Sequence, residues 1–320
     1  MLNFRGICTK ATVVSNRVCF LFPGQGVQYL GMSKELCKHY PEARNLFNNA
    51  SEILGYDLLH KCIHGTKSEI DSTEVAQSAI FVSSMAALEK LKHENISAYN
   101  NCTITMGLSL GEYSALCYAG AFSFEDGVKL TKARGKAMQS ASDTIESGMV
   151  SIIGLDIDGV NNLCKAVMDI TGQPISIANF LMDKNYTVAG SIESCKTVKE
   201  IAKSMGARMA FPLSVSGAFH TEYMRPAVAP LREALEKVKI ITPRISVISN
   251  VDGKIHTTPD SIREKLALQV TTPVQWEQSL TSMILAHDYE MSYEIGPGTV
   301  INGLITKGFG KSTSIINVKA

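Results

Sequence analysis

The chain has 320 residues, 45% of them hydrophobic, with 31 basic and 30 acidic side chains giving a net charge of +1. That length suffices for one large buried α/β core with a smaller subdomain, and the near-neutral balance, with no basic stripe or interleaved aromatics, argues against nucleic acid as a partner. No apolar run approaches the roughly 20 residues that cross a bilayer, so no membrane span is expected; eight scattered cysteines (Cys8, Cys19, Cys37, Cys62, Cys102, Cys117, Cys164, Cys195) without a CxxC pair predict buried thiols in a reducing compartment, not a disulfide framework or zinc site.

Residues 1–17 carry Arg5, Lys10 and Arg17, several Ser and Thr, and no acid. This composition fits a short mitochondrial transit peptide, with a frayed terminus as the alternative. The apolar run 18–22 (VCFLF) ends in Pro23-Gly24-Gln25-Gly26, which predicts a buried strand opening into a glycine-bearing loop. Helices are predicted over 34–39, 43–54 and 77–91. A second apolar run at 104–106 leads into Gly107-Leu108-Ser109-Leu110-Gly111 and a small-residue helix over 112–119.

From about residue 149 the order becomes strand 149–155, helix 160–168, strands 175–178 and 186–189, helix 193–205 and strand 208–213. That is βαββαβ, the ferredoxin-like arrangement. The segmentation is therefore a large domain over 18–147 and 214–320, with a ferredoxin-like subdomain inserted at 148–213. The large domain resumes with a helix over 222–238, a strand over 245–249, a turn at Asp252-Gly253 and a strand-to-loop segment at 293–298.

The five residues 107–111 fit G-x-S-x-G, the nucleophile elbow. A sharp strand-to-helix turn strains the backbone at Ser109 and admits only small neighbours, projecting the hydroxyl outward. At the start of a helix, the Leu110 N–H and the helix dipole are placed to stabilise an oxyanion. A glycine-rich turn without chemistry is the plainer alternative. A serine hydroxyl needs a base. Of seven histidines, His39, His60, His64, His93, His256 and His287 read as surface or helix-end residues. His220 closes Ser214-Val215-Ser216-Gly217-Ala218-Phe219, where nothing else calls for an imidazole; it is the candidate base, with a satisfied structural histidine as the alternative. Arg134 offers the planar fork that matches a carboxylate, but with Lys132 and Lys136 beside it, spacing fits a solvated helix face equally well.

Taken in order, Phe22-Pro23-Gly24-Gln25-Gly26, the elbow with Glu112-Tyr113-Ser114-Ala115-Leu116, Arg134-Gly135-Lys136-Ala137-Met138-Gln139, Gly217-Ala218-Phe219-His220, Pro273-Val274-Gln275-Trp276 and Glu294-Ile295-Gly296-Pro297-Gly298 resemble the malonyl-CoA:acyl carrier protein transacylase family. The resemblance implies an α/β-hydrolase-like large domain with the inserted subdomain. It implies that Ser109 is the nucleophile and His220 its base, with the N–H groups of Gln25 and Leu110 as oxyanion hole. It further implies that the Gln269 carbonyl orients the histidine and that Arg134 binds the malonyl carboxylate. The partners implied are malonyl-CoA and acyl carrier protein; acyl transfer through a serine ester needs no metal or redox cofactor, and a monomer is expected.

Three positions depart from the family pattern. Leu108 stands where many relatives have histidine, Gln77-Ser78 replaces a Gln-Pro pair and leaves Gln77 as a candidate pocket residue, and Ala178-Asn179-Phe180-Leu181-Met182-Asp183 lacks the common bacterial Asn-Ser-Pro turn. With Leu54-Gly55-Tyr56-Asp57-Leu58-Leu59, these variants look closer to the mitochondrial branch. The rival readings are a transferase of neutral or branched acyl groups, a thioesterase, and a silent carrier-binding subunit.

Overall fold

The computed structural model describes residues 18–286, 291–309 and 315–320. The leader expected at 1–17, Cys8 and His287 lie outside the described residues. The strands in chain order are β1 (Val18–Phe22), β2 (Cys102–Gly107), β3 (Ser147–Ile153), β4 (Ile175–Met182), β5 (Asn185–Ser191), β6 (Met209–Pro212), β7 (Ser246–Ile248), β8 (Val274–Gln275), β9 (Met291–Gly296) and β10 (Ile315–Lys319).

One sheet runs β10-β9-β1-β2-β7, with every neighbouring pair parallel. All five residues of β1 are buried. Val18, Phe20 and Phe22 pack into one core, Cys19 and Leu21 into another, so the strand is apolar on both faces and reads as a continuous run. From β1 the chain passes to β2 on one side and returns much later as β9 on the other. Such a switch opens a crevice beyond the carboxyl end of the central strand, and Pro23–Gly26 occupies it.

The second sheet runs β6-β3-β5-β4-β8. Its first four strands, with helices Ile157–Thr171 and Ile192–Ile201, make the βαββαβ unit, all antiparallel and closed over Val150, Ile152, Leu163, Val167, Val188 and Val198. The fifth strand has no counterpart in the sequence pattern. Two-residue β8 pairs parallel with β4 through Asn179↔Val274 and Phe180↔Gln275, and so short a strand leaves no periodicity to read. Residues 178–182 continue β4.

Helix Thr73–Glu94 extends beyond the predicted 77–91 because it is buried nearly all round, Ser78, Ser83 and Ser84 included, and shows no apolar stripe to delimit it. Helix Phe124–Thr144, capped by the Ser123 hydroxyl accepting from the Asp126 N–H at 3.1 Å, carries Arg134. Predicted helix 222–238 is a 3₁₀ turn, Glu222–Met224, followed by helix Arg225–Glu236. Pro226 in its first turn lacks the N–H that would continue the preceding one. No helix among the described residues is long and apolar enough to cross a membrane.

Candidate active site

The turn from β2 into helix Gly111–Tyr118 is as tight as its sequence demands. A Cβ on Gly107 would lie 1.9 Å from the Gly111 carbonyl carbon, and one on Gly111 would lie 2.1 Å from the Phe22 oxygen. Neither position admits a side chain. Ser109, between them, has φ 52°, in the left-handed region that costs an L-residue about 1–2 kcal/mol. The turn is held by Asn250, whose side-chain oxygen accepts from the Ser109 N–H at 2.6 Å and whose Nδ2 donates to the Gly107 carbonyl at 2.7 Å.

Ser109 Oγ lies 2.8 Å from His220 Nε2, and His220 Nδ1 lies 2.8 Å from the Gln269 carbonyl oxygen. A carbonyl only accepts, so Nδ1 carries the proton and Nε2 presents a lone pair to the hydroxyl. His220 also adopts a left-handed φ, 61°. Its N–H is tied to the Val270 carbonyl at 3.0 Å. Burial, reinforced by the nearby Arg134 cation, pushes the imidazole pKa down to about 4, against the opposing pull of the Gln269 and Thr272 backbone groups.

That shift fixes a pH dependence. Only neutral imidazole can accept the serine proton, so activity is present above the pKa and lost as pH falls through it. Single-turnover acylation of the free enzyme should stay flat from about pH 8 to about pH 5 and fall with a midpoint near 4. A midpoint near the ordinary 6.5 would show that His220 is solvated or is not the base. The stability contribution has the same sign. It is full above 6.5, the unfolded value, and is withdrawn as pH falls toward 4.

Arg134 is buried, not on a solvated face. Its Nη2 donates to Ser109 Oγ at 3.0 Å and to Gln269 Oε1 at 2.8 Å, and its guanidinium lies over the Tyr113 ring at 5.4 Å. Burial lowers its pKa, with Tyr113 and Glu112 opposing, so an arriving carboxylate would offset a desolvation the protein already bears. The legible signal is helical spacing. Gly127, Thr131, Arg134, Met138 and Ala141 form one buried stripe, three or four residues apart.

The N–H groups of Gln25 and Leu110 donate to no acceptor among the described residues, and Gln25 lines the same cavity as Ser109 and His220. The Gln25 side chain is held aside, donating to Thr73 Oγ1 at 3.1 Å, while Thr73 Oγ1 contacts Ser216 Oγ. The cavity, about 250 Å³, is bounded by Leu108 and Phe219 beside the serine, Met149 and Thr187 from the second sheet, and Val300 and Leu304 opposite. Gln77 is not part of this lining. It is buried in its helix, with Nε2 against Met138 Sδ at 3.3 Å.

His256 requires a correction: it is a buried residue beneath the elbow, not a surface one. After the Asp252-Gly253 turn the chain folds back, bridging Ile255 to Ile248 and tying the His256 N–H to the Val247 carbonyl at 2.9 Å. Its Nε2 then lies 2.7 Å from Glu112 Oε1. Glu112 and Asn250 are further residues that sequence reasoning passes over; an amide side chain just beyond β7 is the available signal. No group of three metal-ligating side chains occurs among the described residues.

The same chain pattern recurs in known proteins. Residues 19–318 match the acyl transferase domain family. The mitochondrial malonyl-CoA-acyl carrier protein transacylase of Mus musculus is 37% identical over 294 residues, 89% of this chain and 77% of that protein. The Bacillus subtilis malonyl CoA-acyl carrier protein transacylase is 38% identical over 292 residues, 91% and 90% of the respective chains. Among solved structures, the acyl-carrier-protein-S-malonyltransferase of Bartonella henselae superposes with a TM-score of 0.87 at 32% identity, covering 95% of each chain. A malonyl-transacylase in complex with its type II PKS acyl-carrier protein superposes at 0.88 with 34% identity, covering 95% and 96%.

Proposed function

The chain belongs to the acyl transferase domain family, and from that premise we propose that it is a malonyl-CoA:acyl carrier protein transacylase working through a malonyl ester on Ser109. The observation that carries the substrate reading is Arg134, a buried guanidinium 3.0 Å from the candidate nucleophile. A cation there fits an acyl group ending in a carboxylate, not a neutral chain.

In the first half-reaction His220 Nε2 takes the Ser109 proton as Oγ attacks the malonyl thioester carbonyl. The oxyanion is held by the Gln25 and Leu110 N–H groups. Its collapse breaks the C–S bond, and coenzyme A leaves as its thiol with the proton from His220. In the second, the phosphopantetheine thiol of the carrier protein loses its proton to His220 and attacks the ester, and Ser109 recovers its hydrogen. The chain supplies nucleophile, base, donors and cation, so the cycle calls for no metal or redox group.

The test is acyl selectivity. Arg134→Ala leaves the malonyl carboxylate unpaired in a desolvated site. A charge-assisted hydrogen bond is worth roughly 1.5–3 kcal/mol and a guanidinium fork offers a carboxylate two, so malonyl transfer should fall about 10²-fold or more. Acetyl transfer should fall far less, and Arg134→Lys should restore only part of the malonyl loss. The measurement is the ratio of malonyl to acetyl adduct on Ser109; a constant ratio across the three proteins removes the malonyl reading. Labelled malonyl-CoA with and without carrier protein separates transfer from hydrolysis.

Residues 1–17, basic and free of acid, together with the Leu54–Leu59 and Ala178–Asp183 variants, support the mitochondrial-type branch and a matrix location. A reporter fused to 1–17 that stays in the cytosol would remove the location. The protein is proposed to act as a monomer, which sedimentation tests.

A further inference from the structure

We infer that Glu112, anchored by His256, is a positioning residue: it fixes which way the Gln269 side-chain amide faces, and through that amide holds Arg134 for the acyl carboxylate. This deepens the transacylase reading and rests on it.

The Gln269 side chain lies between groups that can bond in only one sense. Arg134 Nη2 can only donate, and it meets Gln269 Oε1 at 2.8 Å. On the other side Gln269 Nε2 donates to Glu112 Oε2 at 2.7 Å and to the Ser109 carbonyl at 3.0 Å. The amide orientation follows from these partners alone. Turned over, it would set an NH₂ against a guanidinium and an oxygen against a carboxylate. Glu112 makes that flip costly, and is itself immobilised. Its Oε2 also accepts the Asn250 N–H at 3.0 Å, its Oε1 meets His256 Nε2 at 2.7 Å, and both ionisable side chains are fully buried.

Two groups on Gln269 therefore serve two jobs. The backbone carbonyl orients His220 and is held by the end of helix Pro259–Gln269, independent of the side chain. The side-chain amide serves Arg134. Loss of the Glu112 acceptor should therefore damage selection of a charged acyl group more than the proton transfer common to all acyl groups.

His256 makes the role separable from charge. Its Nδ1 has no partner among the described residues, so the ring can carry its proton there and accept through Nε2. Glu112→Gln can then donate its amide to His256 while its oxygen still accepts from Gln269 and Asn250. Glu112→Met removes the acceptor at similar volume.

The experiment measures kcat/KM for malonyl and for acetyl transfer in wild type, E112M, E112Q, Q269M and R134A. E112M and Q269M should each lower the malonyl-to-acetyl ratio about tenfold to a hundredfold, the range set by a lost bond to a charged group, and E112Q should recover most of it. Q269M breaks the same link from the other end, so it decides the matter if E112M fails to fold. An unchanged ratio in Q269M, an equal fall for both acyl groups, or an E112Q as unselective as E112M overturns the inference; the last outcome assigns Glu112 a role through its charge. If wild type shows no malonyl preference, or R134A keeps one, the transacylase reading itself fails. A selective wild type with an unselective R134A leaves the role of Glu112 as the only thing the other variants decide.

Discussion

Ser109→Ala is expected to abolish the covalent malonyl adduct and reduce transfer by roughly 10⁶, the scale seen when a serine nucleophile is removed from a base that acts with it. Among the described residues the Ser109 hydroxyl hydrogen-bonds only with His220 and Arg134, so the fold should survive. Alanine retains the Cβ and therefore the left-handed strain of φ 52°. Ser109→Gly, equally inactive, sheds about 1–2 kcal/mol of that strain and loses about 0.4–1 kcal/mol to the looser unfolded chain. It should thus be at least as stable as Ser109→Ala, by up to about 1.6 kcal/mol. Intact-protein mass after exposure to malonyl-CoA and denaturant midpoints of both variants check the two halves. An acylated Ser109→Ala would move the nucleophile elsewhere; a clearly less stable glycine variant would show that the elbow is unstrained.

His220→Ala should cost at least about 10²–10⁴ in acylation rate at neutral pH, the contribution of a general base, and up to roughly the 10⁶ of Ser109→Ala because the pair acts as a unit. The imidazole is buried between Ser109 and the Gln269 carbonyl, and among the described residues no second histidine bonds to Ser109. The residual rate should lose the inflection near pH 4 and rise with hydroxide. Near-normal turnover, or an inflection that persists in the variant, would assign the proton to another group.

What can be read from the sequence is what is encoded locally. β1 announces itself because both its faces are buried, the elbow because only glycine fits at 107 and 111, and His220 because a run of small residues gives an imidazole no other purpose. What cannot be read depends on distant segments meeting. Glu112 gains its partners from Asn250 and His256, 138 and 144 positions away, and in one dimension His256 is merely a histidine after a turn. Arg134 lies between the two cases. Neighbouring lysines suggest water, while the stripe it shares with Gly127, Thr131, Met138 and Ala141 points inward. β8 is invisible because two residues carry no pattern, yet it adds a fifth strand to the second sheet just after Gln269, whose carbonyl faces the His220 ring.

The left-handed backbone at Ser109 and His220 bears on how such a protein ages in a population. Residues held in costly conformations keep the reactive groups poised, and that cost is relieved where glycine takes their place. A lineage drifting to glycine at position 109 would lose its activity without any fall in the amount of folded protein in the cell. Abundance and solubility are therefore poor witnesses to function in this chain; an inactive descendant would look as healthy as its parent on a gel, and only an acylation assay would tell them apart.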